Sequence, residues 1–179
     1  NFLSAFNINN ILSLATALGF IALGQTVVLL LGAIDLSVGP LSGFLVVVAS
    51  FFINDDKSTP MIVAGFVLVF LGAFVVGGIN GTLVRFANFT PIAATLAMYI
   101  GLQGMSFLVR DNPGGYINAN VVEMVTAQFG PIPVAFIALA AVAVASEYLL
   151  RKTGLGWRLR ATGSNEESAR RVGVWVDGT

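Results

Sequence analysis

Long apolar runs dominate this chain of 179 residues, and charged residues are confined to the short intervals between them. Those intervals also contain the Asp, Asn, Pro and Gly residues that end helices. A helix that spans a bilayer needs about 20 predominantly apolar residues. Buried helices of a large soluble protein would also be apolar, but the length and spacing of these runs favour a membrane. The pattern predicts five membrane segments, at 11–34, 38–53, 61–84, 92–109 and 131–150.

The composition agrees with a membrane protein and excludes several kinds of active site. Hydrophobic residues make up 56% of the chain and charged residues only 10%, whereas a soluble domain carries about 25% charge. The chain has no Cys and no His, which excludes a disulfide framework, a zinc site of Cys or His ligands, and a Ser-His-Asp triad. We expect no metal site and no bound cofactor. A net charge of zero argues against nucleic-acid binding.

The charges are unevenly distributed, and their distribution predicts the orientation of the chain. Residues 151–179 contain six basic and three acidic side chains, whereas the rest of the chain contains three basic and six acidic ones. Because Lys and Arg are enriched in cytoplasmic loops, we place 151–179 in the cytoplasm. The sequence therefore predicts an all-α, polytopic membrane bundle with a membrane-spanning core at 1–150 and a cytoplasmic part at 151–179. We also expect the sequence to be part of a longer protein.

The stretch from Gly32 to Pro40 predicts a broken helix inside the membrane. Pro40 suits the first position of a helix, with Gly39 or Ser37 as the cap. From Pro40 to residue 53 the helix would be roughly 21 Å long, which is shorter than a bilayer core of about 30 Å. Irregular backbone at that depth must be buried in protein or line a water-filled cavity. The alternative is a simple cytoplasmic turn with Asp35 among the lipid headgroups. In either case Asp35 would bond the backbone N–H groups at the start of the next helix and would not contact a substrate directly.

Uncharged polar residues within the apolar segments are further candidates for a pathway. Asn80 lies at the inner end of the third segment, Pro91 starts the fourth, and Thr95 follows one turn later. Gln25 and Gln103 are also at membrane depth. Thr95, Gln25 and Gln103 either line a path for a hydroxylated solute or satisfy hydrogen bonds between helices, and the sequence favours the second role. Asn80 is placed to bond a neighbouring helix, and Pro91 at a helix start needs no special function.

Two further features predict contacts less specifically: a row of small residues on the third segment and the long outer connection. Ala73, Gly77 and Gly81 recur every four residues and predict close packing against another helix. Residues 110–130 are rich in turn formers and should face outward. That connection is either an ordinary surface loop or a docking site for an external partner.

Residues 164–173 predict a short helix on the cytoplasmic side. Ser164 and Glu167 fit a capping box, Glu166 and Arg170 are spaced to form an ion pair, and Gly173 is a suitable stop. So short a helix is marginal by itself in water. It therefore either docks against a partner or forms a juxtamembrane turn held by anionic lipids.

Several of these motifs together resemble the permease subunit of bacterial monosaccharide-uptake ABC transporters of the ribose, galactose and xylose type. The string Ile34-Asp35-Leu36-Ser37-Val38-Gly39 is the most specific match, and Asn80-Gly81 and Pro91 with Thr95-Leu96 match further positions. Ile92-Ala93 departs from the usual residues of the family at that point. The match to the cytoplasmic coupling loop consists of Arg158, Gly163, Asn165, Glu166, Ala169, Arg170 and Gly173.

This resemblance implies a division of labour between subunits. The coupling loop would sit in a groove of a separate ABC ATPase, which would bind the ATP and Mg²⁺. A second permease chain and a periplasmic sugar-binding protein would complete the importer. The family also has a first helix and several later helices that this sequence lacks.

Other functions remain open on the residues alone. An intramembrane enzyme would need paired acids, but Asp35 and Glu147 stand in separate segments. A passive channel or scaffold would use the same helices without ATP. A related uptake permease for a branched-chain amino acid or a signalling sugar is the nearer alternative. The chain contains no phosphate-binding loop, so we expect ATP hydrolysis on another subunit.

Overall fold

The computed structural model describes residues 2–112 and 114–176, and these form an almost entirely helical chain. This confirms the predicted all-α membrane fold. The elements are α1 (Ala5–Leu30), α2 (Val38–Phe52), α3 (Thr59–Arg85), α4 (Pro91–Val109), α5 (Ala119–Thr126), β1 (Gln128–Phe129), β2 (Ile132–Pro133), α6 (Val134–Lys152), α7 (Gly154–Ser164) and α8 (Glu166–Arg171).

Within the described residues, α1, α3, α4 and α6 are long and apolar enough to cross a membrane. Their large side chains point outward: Phe74 is 80% exposed and Leu108 is 88% exposed. So much exposed apolar surface is unfavourable in water, whereas the hydrocarbon of a bilayer accommodates it. The chain is therefore a multi-pass membrane protein.

The short helix α2 confirms the predicted interruption, with two differences in its boundaries. Helix α1 ends at Leu30, four residues earlier than predicted, because Gly32 adopts a left-handed conformation with φ of 75°. Helix α2 begins at Val38, so Pro40 is its third residue and not its first. Proline is tolerated there because the first N–H groups of a helix have no partner within the helix. With 15 residues, α2 is about 23 Å long.

The chain forms two compact units. One unit, residues 34–122, contains α2, α3 and α4. In this unit α2 packs against both α3 and α4. Gly65 of α3 permits the approach of the end of α2, since a Cβ at Gly65 would lie 2.6 Å from Ile53 Cγ1 and 2.8 Å from Phe52 Cβ.

The other unit, residues 1–33 and 123–179, contains α1, the β1–β2 hairpin, α6, α7 and α8. Gly19 lets α6 approach α1, because a Cβ at Gly19 would overlap the Leu139 side chain. Gly156 lets α7 fold back on the end of α6, because a Cβ there would overlap the Leu150 carbonyl. The division of the chain into a membrane core at 1–150 and a cytoplasmic part remains a prediction about membrane topology.

Within the described residues no helix packs closely on Gly77 or Gly81, so the close packing predicted for the stripe of Ala73, Gly77 and Gly81 stays a prediction. A Cβ at Gly77 or Gly81 would meet nothing within 4 Å among the described residues. The close approaches to α3 occur instead at Gly65 and Gly72, where Phe52, Ile53 and Leu45 of the α2 region lie. Spacing alone identified a face of small residues, but it did not identify which face the neighbouring helix covers.

The connection after α4 is tied to the loop between α2 and α3. The Asn118 N–H donates to the Ile53 carbonyl at 2.9 Å, and the Ala119 N–H donates to Asp55 Oδ1 at 2.8 Å. The Tyr116 hydroxyl donates to Asp56 Oδ2 at 2.8 Å, and this hydrogen bond together with the carboxylate's charge raises the pKa of Tyr116. In 34–122 the loop between α2 and α3 and the connection after α4 therefore form one hydrogen-bonded surface.

We expect Gly65→Ala to lower the melting temperature of the detergent-purified full-length protein. Alanine favours a helix by about 1 kcal/mol over glycine, but overpacking against Phe52 and Ile53 costs about 1–3 kcal/mol. Gly78→Ala, on the same helix with nothing within 4 Å of the added carbon, is the control and should not lower it. Equal melting temperatures for the two variants would contradict the described packing.

Candidate functional site

The first candidate region is the unwound segment that leads into α2. Asp35 Oδ1 accepts hydrogen bonds from the Ser37 backbone N–H at 2.7 Å and from the Ser37 hydroxyl at 2.6 Å. Asp35 thus bonds the backbone N–H of the residue just before α2, one position ahead of the helix N–H groups that the sequence predicts for it. Ser37 is the residue before the helix, but its side chain does not cap the helix N–H groups.

Asn80 connects this segment to α3. The Asn80 side-chain Nδ2 donates to Ser37 Oγ at 2.9 Å. Ser37 is 1% exposed and Asn80 6% exposed, so this hydrogen bond is shielded from both lipid and water. The other side-chain atom, Asn80 Oδ1, is buried and has no hydrogen-bond partner among the described residues. An unpaired buried oxygen lowers the stability of the folded protein. We therefore expect stability to respond to changes in the residues around Asn80.

Thr95 connects the same segment to α4. Pro91 is the first residue of that helix, and the Thr90 side chain caps it by accepting from the Ala93 N–H. The Thr95 hydroxyl donates to the Pro91 carbonyl at 2.8 Å and lies 3.4 Å from the Ile34 carbonyl. The start of α4 therefore lies beside the backbone that precedes Asp35.

The structure brings together most of the residues proposed as pathway candidates. Ser37, Asn80 and Thr95 are buried and make hydrogen bonds within the protein. Their observed contacts position the start of α2, which is the second of the two roles that the sequence leaves open. Gly39 differs from them, because it is exposed on α2 with open space around its Cα.

The second candidate region is α7 with α8, and here the predicted cap is wrong by one residue. Ser164 is the last residue of α7. Asn165 caps α8 instead, since its side-chain Oδ1 accepts from the Ser168 N–H at 2.8 Å. Asn165 can act in this way because its own backbone is extended, with φ of −159°. The predicted capping box therefore gives way to an asparagine cap between two helices.

Helix α8 is held in place by a small apolar cluster. Ala169, Val174 and Val176 are buried together, with Ala161 of α7 packed against them. Gly173 allows the chain to turn back after α8, with φ of 83°. This packing explains how a helix of six residues is ordered although such a helix is unstable alone.

Gly163 joins α7 to the end of α1. A Cβ at Gly163 would overlap the Leu30 carbonyl and would lie 2.9 Å from Leu31 Cα. The two backbones thus touch at this point, and only glycine fits between them. Gly163 therefore has a packing role that the sequence pattern did not indicate.

The charged residues of this region face outward. Arg158 is exposed, and the Glu166 and Arg170 side chains form an ion pair at 3.4 Å with nearly half of each side chain exposed. An exposed pair of this kind contributes about 0.3–0.5 kcal/mol to a helix, so its charges are not essential to the fold.

Sequence reasoning missed Arg110, which connects the C-terminal ends of α2 and α4. Arg110 Nη2 donates to Ser50 Oγ at 3.0 Å, and its guanidinium carbon lies 4.4 Å from the centre of the Phe51 ring. Gly115, with φ of 86°, gives it room, since a Cβ there would lie 2.9 Å from Arg110 Cζ. The sequence offers only the position of Arg110 after an apolar span as a signal.

We expect Ser37→Ala to destabilise the full-length protein by about 1–3 kcal/mol, because it removes the partner of Asn80 in a buried position. Thermal unfolding in detergent measures the effect. Ser42→Ala, one turn later on α2, is the control, because the Ser42 hydroxyl is exposed and bonds only the Gly39 carbonyl of its own helix. If the two variants unfold alike, the hydrogen bonds at Ser37 do not support α2.

Comparison with known proteins places the chain among permeases. The family model for the branched-chain amino acid transport system / permease component matches residues 7–179. The L-arabinose ABC transporter permease protein of Azospirillum brasilense is 32% identical over 98% of this chain and 51% of its own length. The galactose/methyl galactoside import permease protein of Escherichia coli K12 is 32% identical over 98% of this chain and 57% of its own length.

The ribose import permease protein of Escherichia coli K12 is 30% identical over 99% of this chain and 56% of its own length. No solved structure matches the chain. The chain spans about half the length of these curated relatives. Because the family model covers residues 7–179 and the relatives match almost every residue, the chain belongs to the family of ABC transporter permease components.

Proposed function

We propose that the chain forms part of the translocation pathway of an ATP-driven importer that carries a monosaccharide such as ribose across the inner membrane. The observation that carries the proposal is similarity over nearly the whole chain to permeases named for arabinose, galactose and ribose. The apolar exterior of the long helices supports it, because such helices suit a membrane pathway.

In this proposal the chain guides the solute, and a separate ATPase subunit supplies the energy. That ATPase binds ATP and Mg²⁺, a second permease chain completes the pathway, and a periplasmic sugar-binding protein delivers the sugar. Residues 151–179 face the cytoplasm. The excess of basic residues in that segment supports this orientation.

The proposed contact with the ATPase is the surface of α7 and α8. Its residues are Arg158, Gly163, Asn165, Glu166, Ala169, Arg170 and Gly173. The structure supports a mechanical role for this surface in two ways. Ala169 ties α8 to the cluster formed with Val174 and Val176. Gly163 sets α7 directly against the Leu30 backbone. A force on α8 therefore passes to the end of α1 through atoms in contact.

One observation supports a different transported solute as the alternative. The matching family is described by branched-chain amino acid transport, so a branched-chain amino acid is the alternative cargo. The three relatives described above are named for sugars, and for this reason we propose a monosaccharide first.

Uptake by the full-length permease tests the proposal directly. The permease is reconstituted in liposomes with its cognate ATPase and binding protein, and radiolabelled ribose, galactose, arabinose and leucine are offered. We expect ATP-dependent uptake of at least one sugar and none of leucine. Uptake of leucine alone, or sugar flux that does not require ATP, would exclude the proposed function.

We expect the double charge reversal Glu166→Arg with Arg170→Glu to lower uptake and to weaken co-purification of the ATPase by about tenfold or more, since it keeps the ion pair but reverses both charges toward a partner. The control is the same reversal at Glu147 and Arg151, an exposed i,i+4 pair on α6. Normal uptake and ATPase recovery in the first variant would place the coupling contact elsewhere.

A further inference from the structure

Helices α2 and α4 of the unit 34–122 have an open groove between them. Its volume is about 320 Å³, within the range of small-molecule sites. Gly39, Pro40 and Gly43 of α2 form one wall, and Tyr99, Gln103 and Ser106 of α4 form the other. Helices α2 and α4 run side by side in the same direction, since Ile34 lies near Thr95 and Ser50 bonds Arg110.

The α4 wall places polar groups in the middle of a membrane span. Tyr99, Gln103 and Ser106 have i, i+4 and i+7 spacing and so share one helix face. Gln103 is 12 residues from the start of the 19-residue helix, or roughly 18 Å along it. A primary amide at that depth is costly against hydrocarbon. Its position therefore requires a polar neighbour.

The α2 wall is built to leave space. A Cβ at Gly39 or at Gly43 would meet nothing within 4 Å, so close helix packing does not account for either glycine in 34–122. Their effect is to expose backbone and to keep the groove wide opposite Tyr99 and Gln103. Gly65 of α3 differs from Gly39 and Gly43, because the side chains of Phe52 and Ile53 fill the space beside it.

We propose that this groove contacts the transported monosaccharide, with Gln103 and Tyr99 as specificity-determining residues. The inference rests on the proposed function and deepens it. A monosaccharide presents hydroxyl groups and an apolar ring face. The Gln103 amide both donates and accepts hydrogen bonds, the Tyr99 and Ser106 hydroxyls add further partners, and the Tyr99 ring offers an apolar surface. The Ser106 hydroxyl donates to the Leu102 carbonyl at 2.9 Å, which leaves its oxygen free to accept.

Transport by groove variants tests this assignment in the full-length permease with its ATPase and binding protein. Gln103→Leu keeps the size of the side chain and removes its hydrogen bonds, and Gly43→Leu fills the groove. We expect each to lower sugar uptake about tenfold or more while ATPase activity stimulated by the loaded binding protein persists. Met105→Leu and Val46→Leu alter exposed side chains of the same helices outside the groove, and they should transport normally.

Chemical labelling gives a second test that does not depend on the amount of transport. The chain has no Cys, so Gln103→Cys in a full-length protein without other cysteines reports access to that position. We expect a charged thiol reagent to modify it and the transported sugar to slow the reaction. Ile100→Cys, at similar depth and 65% exposed outside the groove, should not react.

The outcomes separate the two proposals. If the wild-type importer carries no sugar, the proposed function fails. If the wild type carries sugar but Gln103→Leu and Gly43→Leu carry it equally well, the groove is not the sugar contact. Failure of the reagent to reach Gln103→Cys while the wild type is active would mean that another helix covers the amide, and this also overturns the inference.

Discussion

A chain in a bilayer has no water with which to pair its backbone, so protein groups must support every interruption of a helix. Here the interruption lies between Leu30 and Val38. Asp35 accepts two hydrogen bonds from Ser37, and Ser37 in turn accepts one from Asn80. This short chain of polar contacts fixes where α2 starts. The walls of the groove and the packing of α3 follow from that starting point.

The same support explains why α2 can be short. A helix of 15 residues is shorter than the hydrocarbon core of a bilayer, and neighbouring segments contact both of its ends. Thr95 lies beside the backbone before Asp35 at one end. Arg110 bonds Ser50 at the other end. Helix α4 therefore contacts α2 at both of its ends, and between those contacts the two helices share a groove opposite Gly39 and Gly43.

In the other unit the equivalent constraint is steric. Gly163 brings the backbone of α7 into contact with the last turn of α1, and Gly156 does the same for α7 and α6. Contacts of this kind leave no side chain to absorb a displacement, because packed backbone is stiff. A short helix such as α8, which is unstable alone, becomes part of a rigid path through Ala169 and its valine neighbours.

The sequence by itself determined the membrane class, the approximate positions of the spans and the break near Asp35, because apolar run length and the breaking residues act locally. It also pointed to the helix at 166–171, since acidic and basic residues favour opposite helix ends. Only the tertiary structure decided that Asn165 and not Ser164 is the cap. It alone showed that glycines such as Gly65 and Gly163 lie in close contact with neighbouring segments, and that Ser37 bonds Asn80. These outcomes depend on which surfaces meet in space, and residue spacing along one helix carries no information about the partner that covers it.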